Sequence, residues 1–382
     1  MRPWQHAGCV NENQVKEPTV ISFQLTEEQE VVREAMREFA KAELGPIARD
    51  CDETSSIPNE FLEKAWQLGL TYTQIPEEFG GGGERSPITN VILLEELAAG
   101  DAALAIAAMA PSAFVHAIID QGTEAQKAQY LPKFCGETFT TASLASLEPV
   151  AMFDPHSPRA VAEEKEDKFV ISGRKSFVPF GDRATDFLVI ARNGNGVDAF
   201  FVPSDAAGLT ISKPELNMGM RGLTTVTLDL DCVEVPAANR LGGEAGCDVR
   251  RLLDGSRVAL AAVMTGLSRQ VLDFCVPYTK DRVAFDEPIS KKQSIAFRMS
   301  EMHIEIESMR WLTWKAASEV EQGGDATRSA SFAHSYAAEK TMWIADNGVQ
   351  ILGGHGFIRE HPVEMWFRHA RTISVLEGTL SA

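Results

Sequence analysis

The sequence is short of basic charge. Its 54 acidic residues outnumber 36 basic ones, for a formal net charge of -18. A chain of that sign repels nucleic-acid phosphates and anionic lipid headgroups, which argues against both as partners. Cysteine is sparse and dispersed: Cys9, Cys51, Cys135, Cys232, Cys247 and Cys275 form no CxxC pair and have no histidine at metal spacing. No metal site is expected, and the thiols read as reduced groups of a cytoplasmic protein. Charge or glycine interrupts every apolar run before it reaches bilayer length, so no membrane insertion is expected. The first twenty residues lack both a signal-type apolar core and an Arg/Ser-rich transit character, and 1–24 read as a tail.

What remains is an ordinary globular composition. The 382 residues are 44% apolar and 24% charged, enough for a large core and more than one domain. Residues 25–139 carry helical patterning. Thr26 and Gln29 form a capping-box signature, followed by Val31, Ala35, Phe39 and Ala40 at helical spacing. The run Gly80-Gly81-Gly82-Gly83 reads as a mobile loop, residues 88–110 as one buried helix, and Thr123 as the start of another. Residues 140–246 change texture. Strand, turn, strand is expected over 169–178, and short strands over 186–191, 198–202 and 225–230. This is a β domain, a barrel or sandwich. Residues 247–382 return to long helices, over 249–279, 290–321 and 327–349, which point to a bundle.

Several short motifs carry chemistry. Asp254 and Arg257 lie three apart on a helix and share a face, which suits an ion pair or a ligand clamp. Arg282 offers the forked donor that matches a diphosphate. Gln350-Ile351-Leu352-Gly353-Gly354-His355-Gly356 permits close backbone approach to a ligand, or simply caps a helix. Val375-Leu376-Glu377-Gly378-Thr379 places one carboxylate in a turn near the end of the sequence.

In this order, these motifs resemble the acyl-CoA dehydrogenase family from residue 25 onward. The resemblance implies an α+β fold: N-terminal helical domain, middle β-barrel or sandwich domain, C-terminal four-helix bundle. It implies α,β-desaturation of an acyl-CoA thioester, with Glu377 removing the α proton while FAD accepts the β hydride. Some members place the base just before the Arg257 position, where this sequence has Ser256, which cannot serve. The resemblance further implies that Leu144, Ser146, Leu147, Phe177, Pro179 and Thr379 contact FAD. Arg282, Phe285, Gln293, Gln350, Gly353 and Gly354 would contact the FAD region too, with Arg282, Gln350 and the glycine loop acting on a neighbouring subunit's cofactor. Phe153, Asp254, Arg257, Leu376 and Gly378 would line the substrate site. An electron-transfer flavoprotein as acceptor and a homo-oligomer built as a dimer of dimers follow from the same resemblance.

The sequence also departs from that pattern. Leu147 and Pro179 stand where hydroxyl side chains are usual beside the flavin ring, and Phe153 replaces a serine. Each missing hydrogen bond is worth about 1 kcal/mol, so the three together could weaken flavin binding roughly tens-fold. Two explanations compete: a true dehydrogenase with a retuned flavin, of which an acyl-CoA oxidase is a close variant, or a flavin-impaired member acting as a partner subunit of a hetero-oligomer or as a non-redox acyl-CoA lyase or hydrolase. Asp286 replaces a usual glycine. The resemblance implies a closing helix beyond the Glu-Gly-Thr turn, whereas the sequence given ends at Ala382.

Overall fold

A computed structural model describes residues 24–382; the expected tail falls, but for Gln24, outside the described residues. Helix α1 (Glu27–Phe39) starts at the capping box, Thr26 accepting from the Gln29 amide while Gln29 returns a bond to Thr26. Its buried face is not the expected one. Val31 is 70% exposed, whereas Met36 and Ala40 are buried with Val32 and Phe39 packed beside them. The stripe on the side that packs against α4 (Pro87–Ala98) therefore starts from Val32. Short helices α2 (Ala48–Thr54) and α3 (Asn59–Gln67) precede α4.

The expected 88–110 helix is two helices. α4 stops at Ala98, and α5 (Ala102–Ala108) starts afresh with Asp101 as its N-cap. Gly100 forces the break by position: a Cβ there would lie 2.8 Å from the Ala40 carbonyl oxygen. The four-glycine loop is packed rather than mobile. A Cβ on Gly81 would lie 2.0 Å from the Ile75 oxygen, and the Gly82 amide donates to the Tyr72 carbonyl at 3.0 Å. Helices α6 (Ser112–Gln121) and α7 (Glu124–Tyr130) complete the first block.

Seven strands follow: β1 (Ser143–Ala145), β2 (Val161–Lys165), β3 (Lys168–Pro179), β4 (Asp186–Asn193), β5 (Gly196–Pro203), β6 (Leu209–Ile211) and β7 (Thr225–Pro236). They make one sheet in the order β1-β4-β2-β3-β7-β6, with β5 also on β4. The expected turn within 169–178 is absent. β3 runs through it, and the irregularity is absorbed at Gly173 (φ +152°), where the register to β7 shifts. β1 and β2 both pair with β4 in parallel, at Phe187–Val189 and at Arg192. The loop 146–160 thus leaves the sheet at one point and re-enters farther along the same strand.

The second helical block contains α8 (Val249–Asp281), α9 (Gln293–Glu321), α10 (Thr327–Leu352) and α11 (Val363–Ile373), with a two-residue hairpin β8 (Val283–Ala284) and β9 (Glu287–Pro288) after α8. α8 packs against α10, α9 and α4, so it is the shared core helix of both helical blocks. Among the described residues it is the one single helix long and apolar enough to cross a membrane, and most of that apolar stretch is buried here. A second core joins sheet to helices: Phe114, Tyr130, Phe201, Leu188 and Leu253 pack together, with Tyr130 and Phe201 stacked at 4.3 Å. Each such side chain contributes about 1.5–3 kcal/mol by burial. This core fixes β1 against the first turns of α8.

Candidate active site

Asp248 opens α8 by accepting the Arg250 amide, and the next turns carry Leu253, Asp254, Gly255, Ser256 and Arg257. Leu253 faces the sheet-side core. Asp254 is 4% exposed; its Oδ2 accepts from the Thr327 hydroxyl at 2.9 Å on α10. Its Oδ1 has no hydrogen-bond partner among the described residues. Burial pushes the Asp254 carboxyl above its ordinary value, against the pull of Thr327 and Arg257. A cavity of about 310 Å³, lined by Asp254, Arg251, Gly324 and Thr327 among others, opens beside it.

After α11 the chain turns back onto α8. The Arg257 guanidinium donates through Nε to Glu377 Oε1 at 2.6 Å, and its Nη1 reaches Ser331 Oγ of α10 at 3.3 Å. The Gly378 amide donates to Ser256 Oγ at 2.8 Å, and the Ala382 amide donates to the Gly255 carbonyl at 3.1 Å. Arg85 Nε donates to the Ala382 carbonyl at 2.8 Å, and the Ser381 amide to Ser112 Oγ at 3.0 Å. Residues 378–382 are therefore tied into the groove between α6 and α8, a pairing with no signature in the sequence. Gly378 needs to be glycine on two counts. Its φ is +76°, and a Cβ would lie 2.8 Å from the Ser146 Cβ. The turn thus sits directly on the end of β1. Leu376 is buried behind it.

His334 of α10 is a neighbour that sequence reasoning missed. Its ring is enclosed beside the Leu376 carbonyl and Arg257, and burial together with that guanidinium pushes it down to about 4. Only the close approach of α10 to α11 could have pointed to it.

The residues expected at the flavin fall into two groups. The first surrounds the end of β1. Leu144 and Ser146 are buried; Leu147 and Phe177 are partly so; Pro179 is buried. The Ser176 amide bonds the Leu147 carbonyl at 2.9 Å, tying the β1 exit to β3. Phe177 takes a left-handed φ of +53°, and its amide points at the Glu215 carboxylate, 3.2 Å away. The hydroxyls of Ser146 and Thr379, on either side of Gly378, are buried without a hydrogen-bond partner among the described residues. Phe153 is half-buried in the loop 146–160, while Met152 beside it is 98% exposed.

The second group lies at the other end of α8. Arg282, Phe285, Gln293, Gln350 and Gly354 are exposed, Phe285 to 89%. Phe285 and Asp286 both have positive φ, the signature of the tight turn joining β8 to β9, which accounts for glycine being usual at position 286. Tyr278 connects this end to the glycine-rich turn, its hydroxyl 2.9 Å from His355 Nδ1. Asp254 and Arg282 are 28 positions apart on or at the end of one helix, about 40 Å at 1.5 Å per residue. The two groups therefore stand at opposite ends of α8.

Sequence profiles of the acyl-CoA dehydrogenase N-terminal, middle and C-terminal domains match residues 26–138, 143–233 and 248–381. The chain belongs to the acyl-CoA dehydrogenase family. It is 35% identical over 369 residues to the probable acyl-CoA dehydrogenase YngJ of Bacillus subtilis, covering 94% of this chain and 96% of that one. It is 33% identical to the short-chain-specific acyl-CoA dehydrogenase of Clostridium acetobutylicum, over 94% and 96%. The solved butyryl-CoA dehydrogenase of Megasphaera elsdenii superposes with a TM-score of 0.85 at 31% identity, over 94% and 96%.

Acyl-CoA dehydrogenases are FAD-dependent oxidoreductases, and this chain is one of them. Its residues fit the cofactor. The two partnerless hydroxyls of Ser146 and Thr379 offer hydrogen bonds to a polar ring edge, and Gly353 and Gly354 have open space where a Cβ would stand.

Proposed function

We propose that this chain desaturates an acyl-CoA thioester between its α and β carbons, with Glu377 as the base. The observation that carries the proposal is the seating of the 377–379 turn between Ser256 of α8 and Ser146 just after β1. That seating gathers a carboxylate, its arginine partner and two free hydroxyls in one largely buried place.

Glu377 is 13% exposed at its side chain and is the carboxylate of this turn. It takes the α proton, and the C–H electrons form the new double bond as hydride leaves the β carbon. Bound FAD supplies the acceptor for that hydride. Ser146, Thr379, Leu144 and Phe177 would hold the ring; Leu376 excludes water from the acyl side. Water exclusion strengthens every charge interaction left inside. The separation of about 40 Å along α8 supports a cofactor shared between two chains, with Arg282, Phe285, Gln350 and Gly354 of one chain acting at the ring site of another. A dimer of dimers and an electron-transfer flavoprotein acceptor complete the proposal.

The purified protein should be yellow and retain FAD. Anaerobic addition of butyryl-, octanoyl- or isovaleryl-CoA should bleach the flavin with at least one of them. Colourless protein that takes up no added FAD would contradict the proposal.

A further inference from the structure

Arg257 is one cation between two carboxylates, and it satisfies only one. It holds Glu377 at 2.6 Å, while its Nη1 stands 3.9 Å from Asp254 Oδ1. That Oδ1 is buried and has no hydrogen-bond partner among the described residues. A buried carboxylate oxygen left without a hydrogen bond is costly. The opposite defect stands at Glu377. The Arg257 Nε–H occupies Oε1 at 2.6 Å, one of the two oxygens that could take the α proton. In this state the short pair impedes the proposed chemistry, and the long one leaves Asp254 Oδ1 without a hydrogen bond.

We propose that Arg257 hands its ion pair from Glu377 to Asp254 when the acyl thioester binds, unmasking the base. The inference rests on Glu377 being that base. Asp254 is a positioning residue, acting through Arg257. The move is short: Ser331 Oγ, 3.3 Å from Nη1, provides a pivot on α10, and the cavity of about 310 Å³ beside Asp254 gives room on the receiving side. One ion pair is lost and one is gained, so the exchange is near balance and a bound ligand can tip it. Glu377 does not follow the arginine, because Ser256 and Gly378 anchor its backbone.

The charged surroundings agree with this direction. Asp248, the N-cap of α8, and Asp325, just before α10, act on Asp254 in the same direction as burial and raise its carboxyl above the ordinary value. His334 of α10 faces Arg257 and is held neutral, so it neither competes for the arginine nor replaces it. Arg85 and His116 face the tail at 381–382 rather than either carboxylate.

The test is the rate of anaerobic flavin reduction at saturating acyl-CoA, using whichever of the three probes reduces the wild type fastest. In Asp254→Asn the arginine has nowhere to go. Reduction should slow by about tenfold or more, the factor given by about 1.4 kcal/mol. Asp254→Glu should restore it. An unchanged rate in Asp254→Asn, or a rate that stays slow in Asp254→Glu, overturns the hand-off. A crystal structure with a non-reacting thioether analogue of the same acyl-CoA tests it without any variant. Arg257 within hydrogen-bond distance of Asp254 Oδ1 and clear of Glu377 supports it; a retained Arg257–Glu377 pair overturns it. Full flavin reduction by Glu377→Gln would instead remove the base assignment itself.

Discussion

At Ser256 the side-chain oxygen accepts the Gly378 amide at 2.8 Å, within a contact where Ser256 is fully buried. Removing it leaves a buried amide unpaired at the turn that carries Glu377, a cost of about 1–3 kcal/mol. Ser256→Ala is therefore expected to lower the rate of flavin reduction by roughly tenfold or more while FAD stays bound. Stopped-flow reduction checks it, and an unchanged rate would show that the bond does not position the base. In the sequence Ser256 was legible only as a residue that cannot abstract a proton. Its partner lies 122 positions away, and no local pattern connects a serine in a helix to an amide in a distant turn. Asp254 and Arg257 were legible as sharing one helix face. That one of them is paired elsewhere was not, because the competing carboxylate arrives from another part of the chain.

Among the elements, the loop 146–160 depends on one buried ion pair. Lys175 of β3 is fully buried, and its ammonium donates to Glu148 Oε1 at 2.9 Å and to the Ser146 carbonyl at 3.0 Å. Glu148 in turn accepts the amides of Arg159 and Ala160, so both ends of the loop meet at this pair. Burial draws the Lys175 ammonium down to about 8, with Glu148 opposing. Taking away one partner strands the other, and such losses run about 3–5 kcal/mol. Lys175→Met should destabilise by that amount in urea unfolding and should also loosen FAD, because Ser146 loses its tether. A change below about 1 kcal/mol would contradict this. The strand carrying Lys175 was legible from its apolar run. Its continuity was not: Gly173 looked like a turn and is a bulge, because β7 pairs on both sides of it. The helix over 88–110 failed for a similar reason, since Gly100 is dictated by contact with Ala40 rather than by local propensity.

For the whole molecule, the order of helix, sheet and helix was readable from the switch between periods of 3.6 and 2 along the chain. The division of cofactor residues into a buried group and an exposed group about 40 Å away was implied by resemblance alone; the length of α8 gives it a physical basis. The docking of residues 378–382 against α6 and α8 could not be read at all. Those amides find acceptors only in the folded chain, yet they seat the turn on which the proposed chemistry depends. The decisive measurement is therefore anaerobic mixing of Glu377→Gln with the acyl-CoA that bleaches the wild type. General bases contribute about 10²–10⁴-fold, and the variant keeps the size and polarity of the side chain. It should bind FAD and acyl-CoA while its flavin stays oxidised on the timescale of wild-type reduction. Flavin that bleaches at the wild-type rate would show that another group takes the α proton.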